Sequence, residues 1–327
     1  MSAQKKVSII IPAYNREEIL MECLESVHSI LYDNYEVLVV DDNSENPIAG
    51  YIRPRFNKAI VISNNKRKGP AYCKNQGILK SAGELLWFLD SDSLIQNKDC
   101  LSSMVSILSK EPKIGCIGGE LLCEGSEYLV RQDGRKIIFN QATEHLFRLK
   151  RVNSLTTANL LTRKELLRRI GGFDNNYFYM SEDTDICFKI RSLGYEIVLD
   201  ASSLILHRYS PYSRQSNLFL FFRNGIRCAL INSGAVRAFL IEPFSLLKNI
   251  IRTLGDKIGS KKRLSETTHM IALDSRDTGR AGFLLIAALK AIPAFIAAYF
   301  WNIIFSYKTV FIDKKINYLE ETVAASL

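Results

Sequence analysis

Residues Leu85 to Ser93 read Leu-Leu-Trp-Phe-Leu-Asp-Ser-Asp-Ser, an unbroken apolar run that ends in two carboxylates separated by one residue. A short, fully apolar run is typical of a strand that is buried on both faces. Because side chains alternate along an extended chain, Asp90 and Asp92 are predicted to point the same way at the carboxyl edge of a sheet. Together they could bind a hard divalent cation. An Asp-Ser-Asp turn that caps a helix would look the same in isolation, so the neighbouring motifs decide.

Three other apolar runs precede this one, with helix-like segments between them: Val7 to Ile11, Glu36 to Val40 and Ala59 to Ile62. Such alternation predicts an α/β fold with a mostly parallel sheet covered by helices. Ligands of these sheets bind beyond the carboxyl ends of the strands. Polar clusters follow three predicted strands at that edge, namely Tyr14-Asn15, Asp41-Asp42-Asn43-Ser44 and Asp90-Ser91-Asp92. We therefore expect a single site built from three strand ends.

Asn15 is also the predicted N-cap of the first helix, because Glu18 follows three residues later. A second informative helix is predicted from Ser181-Glu182-Asp183 to Gly194. Asp183 shares its helix face with apolar residues, so its carboxylate is predicted to point into the protein, either as a helix cap or as a positioned base. Asp185 and Lys189, one turn apart, are predicted to form an exposed ion pair.

Composition places the chain in a broad class. The 327 residues are 47% hydrophobic and 24% charged, which suits one large α/β domain with a smaller appendage. The seven cysteines include no Cys-X-X-Cys pair, and we interpret them as buried thiols in a reducing compartment. The four histidines form no zinc-ligand spacing with them. Val7 to Ile11 is too short for the apolar region of a signal peptide, so none is expected.

Four ordered motifs carry a resemblance to a known family. They are Val-Ser-Ile-Ile-Ile-Pro-Ala-Tyr-Asn, Val-Val-Asp-Asp-Asn-Ser, Phe-Leu-Asp-Ser-Asp, and Gly-Gly-Phe-Asp followed by Ser-Glu-Asp-Thr-Asp. In this order and at this spacing they resemble an inverting family 2 glycosyltransferase of the GT-A (Rossmann-like) fold. The resemblance covers about the first two thirds of the chain. It implies a nucleotide-sugar donor, a glycan or polyprenyl-linked acceptor, a Mn²⁺ or Mg²⁺ cofactor and no nucleic-acid partner.

The resemblance also assigns roles to individual residues. It implies that Asp183 is the catalytic base and that Glu182 supports the acceptor side. It also implies that Asp92 is the more direct metal ligand, joined by Asp90 and His207. The implied nucleotide-binding residues are Pro12, Tyr14, Asn15, Asp41, Asp42, Ser44, Lys74, Asn75 and Asp90.

One position departs from the family pattern, since Lys74 stands where the family commonly has arginine. Lysine keeps the charge but loses the bidentate fork, which puts a phosphate contact there in doubt. A single base implies one displacement with inversion, because a retaining mechanism needs a second carboxylate as nucleophile. Two other functions stay open at this point: a sugar nucleotidyltransferase, although no glycine- and arginine-rich loop follows the first strand, and a catalytically inactive glycan-binding protein.

The end of the chain has a different character. Residues 1–210 hold 27 Lys and Arg against 26 Asp and Glu, whereas residues 211–327 hold 16 against 8. We predict a catalytic domain over residues 1–225 and a basic, apolar helical extension over 226–327. Ala281 to Phe305 is long enough to cross a bilayer, but Lys290 and Pro293 interrupt it, so an in-plane or re-entrant helix pair is preferred to a single span or a dimer interface. With Lys261-Lys262-Arg263 ahead of it, the segment predicts a protein at the cytoplasmic face of an anionic membrane.

Overall fold

The computed structural model describes residues 4–56, 59–123, 128–130, 136–138, 149–208, 218–246, 248 and 280–326. Lys261, Lys262 and Arg263, which the sequence places ahead of the apolar segment, lie outside these ranges. The described chain forms two compact units, one made of residues 1–209 and 317–327 and the other of residues 210–316. The sequence predicts a single boundary after residue 225. Composition does not reveal that the last residues of the chain belong to the first unit.

The strands lie in the first unit and all four predicted strands are present. Their bounds are β1 Val7–Ala13, β2 Tyr35–Asp41, β3 Ala59–Ser63, β4 Leu85–Leu89, β5 Ser93–Ile95, β6 Ile114–Cys123, β7 Tyr128–Val130, β8 Lys136–Ile138, β9 Leu149–Val152, β10 Asn159–Arg163 and β11 Glu196–His207. The helices of this unit are α1 Glu17–His28, α2 Ile48–Arg55, α3 Pro70–Lys80, α4 Cys100–Lys110, α5 Lys164–Arg169 and α6 Glu182–Ser192. Helix α9, Tyr318–Ser326, completes the unit.

These strands form one mixed sheet with the order β3-β2-β1-β4-β10-β6-β11-β5. Strands β1 to β4 are parallel to one another, β10 runs antiparallel to both β4 and β6, and β6 is parallel to β11. The predicted α/β class, a mixed and mostly parallel sheet covered by helices, is confirmed. Ala13 is the register partner of Asp41, so the polar segments that follow β1 and β2 leave the sheet side by side.

Because side chains alternate along each strand, the two faces of the sheet contribute to separate apolar cores. Ile9 and Trp87 face the core that α1 and α4 cover, whereas Ile10 and Phe88 face the core that α3, α6 and α9 cover. Helix α3 lies very close to β1, because a Cβ at Gly77 would stand 2.4 Å from the Ile10 side chain. The Gly69 amide, at the N-cap of α3, donates to Asp42 directly after β2, so α3 begins at the carboxyl edge of the sheet.

The second unit is helical. Its helices are α7, Leu218–Ser233, and α8, Arg280–Ile304, followed by π-helical turns at Arg237–Ile241 and Lys308–Ile312. Phe222, Ile226 and Ala298 belong to its apolar core, and buried Arg227 pairs with Asp313 at 2.9 Å. Among the described residues no single helix has the length and apolarity of a membrane span. The helical segments Ala291–Ile304 and Lys308–Lys315, which meet at a bend of 57°, have that length and apolarity only when they are taken together.

Candidate active site

Three predicted metal ligands come together at the carboxyl edge of the sheet. Asp90 and Asp92 follow β4, and His207 is the last residue of β11. His207 Nε2 lies 3.3 Å from Asp90 Oδ2 and 3.0 Å from Asp92 Oδ1. The backbone holds this arrangement, because His207 is the register partner of Ser93 and the Arg208 amide donates to the Asp92 carbonyl oxygen at 2.8 Å.

These ligand atoms fit a divalent cation. The two carboxylate oxygens and the imidazole nitrogen all lie within 4.8 Å of one another. Carboxylate ligands suit Mg²⁺ and Mn²⁺, and such ions usually keep positions for water and substrate phosphate oxygens. Burial disfavours a charged His207, yet the carboxylates of Asp92 and Asp90 outweigh it and raise the pKa of His207 to about 10. The site therefore attracts positive charge strongly.

Arg16 is a member of this cluster that the sequence did not single out. Its Nη1 donates to Asp92 Oδ2 at 2.8 Å, so the Asp92 carboxylate lies between Arg16 and His207. Arg16 is also the N-cap residue of α1, with a left-handed φ of 59° and no side-chain capping bond. The predicted cap Asn15 is wrong for this reason. The signal available in the sequence was the basic residue directly after Tyr14-Asn15.

Asn15 instead joins the two loops that follow β1 and β2. Its amide donates to Ser44 Oγ at 2.8 Å, and its Oδ1 accepts from the Glu45 amide at 3.0 Å. Pro12, also assigned to nucleotide binding, lies within β1 opposite Val40. The loops after β1 and β2 are thus connected by side-chain bonds as well as by the register of their strands.

The Asp41 and Asp42 carboxylates are buried and organise the loops of this edge. Asp41 accepts from the amides of Ser44 and Ile48, at 2.9 and 3.3 Å. Asp42 accepts from the Lys68 and Gly69 amides, both at 2.8 Å, and from Asn64 Nδ2 at 3.0 Å. The loop between β3 and α3 is consequently held against the end of β2.

That loop brings a cation to Tyr14. The Arg67 guanidinium lies 4.1 Å from the centroid of the Tyr14 ring and 5.3 Å from that of Phe178. Gly69 has a φ of 88°, and a Cβ there would stand 2.5 Å from the Phe178 carbonyl oxygen. The loop before α3 therefore lies directly against the segment that leads to α6. Arg67 was not predicted, because only the fold brings it to Tyr14.

Positive φ angles concentrate at this edge. Among the described residues other than glycine, such angles occur after β1, after β2 and before α6, at Asn15, Arg16, Asn43, Met180 and Ser181. Residues held in sparsely populated backbone conformations cluster at functional sites, where the surrounding structure stabilises them. Met180 and Ser181, at 70° each, directly precede the Glu182-Asp183 pair and set its direction of entry into α6.

Asp183 is not the N-cap residue of α6, although it lies in the first turn of that helix. Its Oδ1 accepts from the amide of the next residue, Thr184, at 2.7 Å, and Ser181 is the N-cap residue of α6. Burial and the neighbouring Glu182 carboxylate raise the pKa of Asp183 to about 7, although the Lys74 ammonium opposes them. The Asp90 carboxylate also raises this pKa, which links the start of α6 to the metal-ligand cluster.

Lys74 and Asn75 lie inside the protein. Lys74 Nζ donates to Glu182 Oε1 at 2.9 Å and to Thr157 Oγ1 at 2.6 Å. Asn75 donates to the Phe173 carbonyl oxygen at 2.8 Å and accepts from the Phe173 amide at 2.9 Å. Both side chains thus support the segment that leads to Glu182 and Asp183. Their predicted contact with the nucleotide stays a prediction.

Asp185 and Lys189 pair as predicted, at 2.7 Å, but the expectation that the pair is exposed is wrong. Asp185 is fully buried. The sequence pattern showed only the spacing of the pair along α6, whereas its burial depends on what packs over that helix. Lys189 lies under the ring of Tyr318, from the distant end of the chain.

Comparison with known proteins places this site in context. The model of glycosyl transferase family 2 matches residues 8–171, half of the chain. A Rickettsia bellii uncharacterized glycosyltransferase is 42% identical over 90 residues, which are 27% of this chain and 13% of the relative. The probable glycosyltransferase YdaM of Bacillus subtilis is 25% identical over 263 residues, 77% of this chain and 61% of the relative. Glycosyltransferase AglE of Haloferax volcanii is 26% identical over 282 residues, 84% and 86% of the two chains. The chain thus spans less than two thirds of the first two relatives.

Solved structures share the fold. The mannosyltransferase PcManGT from Pyrobaculum calidifontis, in complex with GDP-Man and Mn²⁺, has a TM-score of 0.59 and 18% identity, over 92% of this chain and 88% of its own. GalNAc-T7 with UDP, GalNAc and Mn²⁺ has a TM-score of 0.57 and 16% identity, over 93% of this chain and 58% of its own. These similarities establish the GT-A fold.

Proposed function

Because this chain belongs to glycosyl transferase family 2, we propose that it transfers a sugar from a nucleotide-diphosphate donor to a glycan or lipid-linked acceptor, with inversion at the anomeric carbon. Membership of this family favours a glycosyltransferase over a sugar nucleotidyltransferase, and the turnover screen below distinguishes an active enzyme from an inactive glycan-binding protein. The observation that carries the finer proposal is the juxtaposition of the Asp90, Asp92 and His207 cluster with the base Asp183.

Asp90, Asp92 and His207 would hold Mn²⁺ or Mg²⁺. When bound, such an ion supplies neutralisation of the charge on the departing nucleoside diphosphate. Both solved structures of the same fold contain Mn²⁺ with a nucleotide or nucleotide sugar. The donor set of this chain is compatible with the same ion, and Arg16 adds a positive charge beside the Asp92 carboxylate.

Asp183 would take the proton of the acceptor hydroxyl as that oxygen attacks the anomeric carbon from the face opposite the diphosphate. The bond to the diphosphate oxygen breaks with its electron pair leaving on the nucleotide, so one displacement inverts the configuration. A base with a pKa of about 7 is matched to proton transfer near neutral pH. Glu182, the neighbouring carboxylate, would contact the acceptor.

We also place the enzyme at the cytoplasmic face of a membrane, where soluble donors meet a lipid-linked acceptor in cell-surface polysaccharide or glycolipid synthesis. Support comes from the second unit, which exposes large apolar side chains along one stripe of α8, at Ile292, Ile296, Phe300 and Ile304. Arg237, Lys308, Lys314 and Lys315 are exposed on the same unit. An apolar stripe with basic residues on one unit is typical of helices that lie in the interface of an anionic membrane.

The direct test is a screen of UDP-, GDP- and dTDP-sugars for turnover that depends on Mn²⁺ or Mg²⁺. We expect one donor class to release nucleoside diphosphate only with metal present. Asp92→Ala should abolish metal-dependent donor binding in calorimetry, because it removes the carboxylate between Arg16 and His207. Unchanged affinity of that variant for the nucleotide with Mn²⁺ would refute the metal assignment.

A further inference from the structure

The Lys74 ammonium is buried beside the base. The residue is 1% exposed, and its Nζ donates to carboxylate oxygen Oε1 of Glu182 on α6 and to the hydroxyl of Thr157 before β10. The ring of Phe173 lies 5.3 Å from the same nitrogen. Glu182 and Thr157 are themselves buried. The ammonium is therefore enclosed by side chains that lie far from Lys74 along the chain.

This environment explains why lysine, rather than a forked arginine, suits the position. Two of the three ammonium protons are directed to partners within the protein, and the side chain is almost completely buried. Burial disfavours the charge, yet the carboxylates of Glu182, Asp90 and Asp183 raise the pKa of Lys74 above its ordinary value. Lys74 is therefore a buried, charged ammonium whose positive form is stabilised by these three carboxylates.

We propose that Lys74 is a positioning residue of the transfer reaction, which fixes the Glu182 carboxylate beside Asp183 and balances the charge of that pair, and does not bind the donor phosphates. The role rests on the proposed transfer function, because it concerns the base of that reaction. Lys74 would then act on Glu182 and Asp183, which serve the acceptor, whereas the resemblance implied that it binds the nucleotide of the donor.

The direction of the effect follows from the groups around the base. Burial and the adjacent Glu182 carboxylate favour the protonated form of Asp183, whereas the Lys74 ammonium, which is bonded to Glu182, favours the ionised form. Without Lys74, Oε1 of Glu182 loses its bonded ammonium, and the negative charge of Glu182 acts on Asp183 without an opposing positive charge from Lys74. The base should then ionise only at higher pH and should be held less well in position.

The test compares Lys74→Met with wild type in two separate measurements. For UDP, GDP and dTDP, each titrated calorimetrically in the presence of Mn²⁺, the affinity of Lys74→Met should be within about twofold of the wild-type affinity for the same nucleotide. With the donor that the screen identifies, kcat at pH 7 should fall about tenfold to hundredfold, as expected for a displaced catalytic group. The acid limb of the kcat profile should move to higher pH. A tenfold loss of nucleotide affinity with an unchanged pH profile would overturn the proposal in favour of a phosphate contact.

Two further variants keep the outcome clear. Lys80→Met makes the same substitution at an exposed position of the same helix and should change neither measurement. If Lys74→Met unfolds because Glu182 is left buried without its cation, the double variant Lys74→Met with Glu182→Gln removes both charges. It should fold, bind nucleotide normally and remain impaired in transfer, and a loss of nucleotide affinity in this variant would also contradict the proposal.

A readout without turnover separates this role from the proposed function. The Asp183 carboxyl can be followed by ¹³C NMR in protein labelled at aspartate, with Asp183→Asn identifying its signal. Its titration midpoint should be higher in Lys74→Met than in wild type, and an unchanged midpoint would overturn the role of Lys74. A wild-type protein that transfers no sugar from any donor would instead refute the proposed function.

Discussion

Asp183 illustrates how the local environment of a carboxylate sets its chemistry. The pKa of Asp183 is raised to about 7 by burial and by Glu182, whereas the Asp92 carboxylate lies between Arg16 Nη1 and His207 Nε2, at 2.8 and 3.0 Å. Two residues of the same type therefore suit different tasks, a proton acceptor and a cation ligand. The distinction follows from which cations lie within contact distance of each carboxylate.

The pH dependence of turnover should report this difference. Wild-type kcat should decline below about pH 7, because protonated Asp183 cannot accept the acceptor proton. Asp183→Asn should bind donor normally, turn over slower by a factor on the order of 100 or more, and lose that limb of the profile. Initial rates across pH 5 to 9, on both proteins, measure this. A limb that persists unchanged in Asp183→Asn would place the base elsewhere.

Thermal unfolding supplies the control for this variant. A folded pKa raised above the ordinary value means that ionised Asp183 is disfavoured in the fold, so the stability it contributes is complete at low pH and is lost as pH rises through about 7. Asp183→Asn should therefore unfold at a higher temperature than wild type at pH 8, with the difference smaller at pH 4. A lower unfolding temperature with normal specific activity would identify Asp183 as a helix cap.

At the level of elements, helix α9 connects the end of the chain to the segment before the base. The Leu319 amide donates to the Gly171 carbonyl oxygen at 3.1 Å, and its side chain is buried in the core that also contains Phe173. Asn175 donates to Glu321 at 2.9 Å and is itself bonded to Asn75 of α3. The segment leading to Glu182-Asp183 is thus held between α3 and α9.

Leu319→Ala should lower the free energy of unfolding by about 2–5 kcal/mol, the usual range for truncating a buried leucine. Val323→Ala, at a position on the same helix that is 43% exposed, should cost much less. Chemical denaturation of both variants measures the difference. Equal small effects would mean that α9 does not contribute to the stability of the catalytic unit.

The sequence predicted a site at the carboxyl edge of the sheet, because apolar runs indicate buried strands and polar residues follow three of these runs directly. It did not predict that α9 packs on the first unit, since the pattern of a nine-residue helix says nothing about which unit it packs on. Nor did it predict the partners of Lys74, because the lysine bonds to residues 83 and 108 positions further along the chain. Arg16 and Arg67 were missed for the same reason, as both contacts depend on the folded loops.

At the level of the whole molecule, membrane association is best tested by substitutions rather than by truncation. Removing everything after residue 230 would also remove α9 from the first unit. Serine at Ile296, Phe300 and Ile304 changes only exposed side chains, since these are 47%, 58% and 70% exposed. The triple variant should leave the catalytic unit intact.

In flotation with vesicles that contain anionic lipid, wild type should rise with the vesicles, more completely at low salt than at high salt. The triple variant should remain in the unbound fraction. Leu31→Ser, which removes a leucine that is 62% exposed on the first unit, is the matched control and should float like wild type. Equal recovery of wild type and triple variant in the unbound fraction at both salt concentrations would indicate that the stripe serves folding or self-association.

The configuration of the product tests the central claim most directly, because one base and one displacement allow only one stereochemical outcome. Proton NMR of the transfer reaction, recorded from the first turnovers, reports the anomeric coupling of the newly formed bond. We predict the configuration opposite to that of the donor sugar, formed by wild type and, slower by a factor on the order of 100 or more, by Asp183→Asn. A product that retains the donor's configuration would contradict the account, since it requires a second carboxylate as nucleophile.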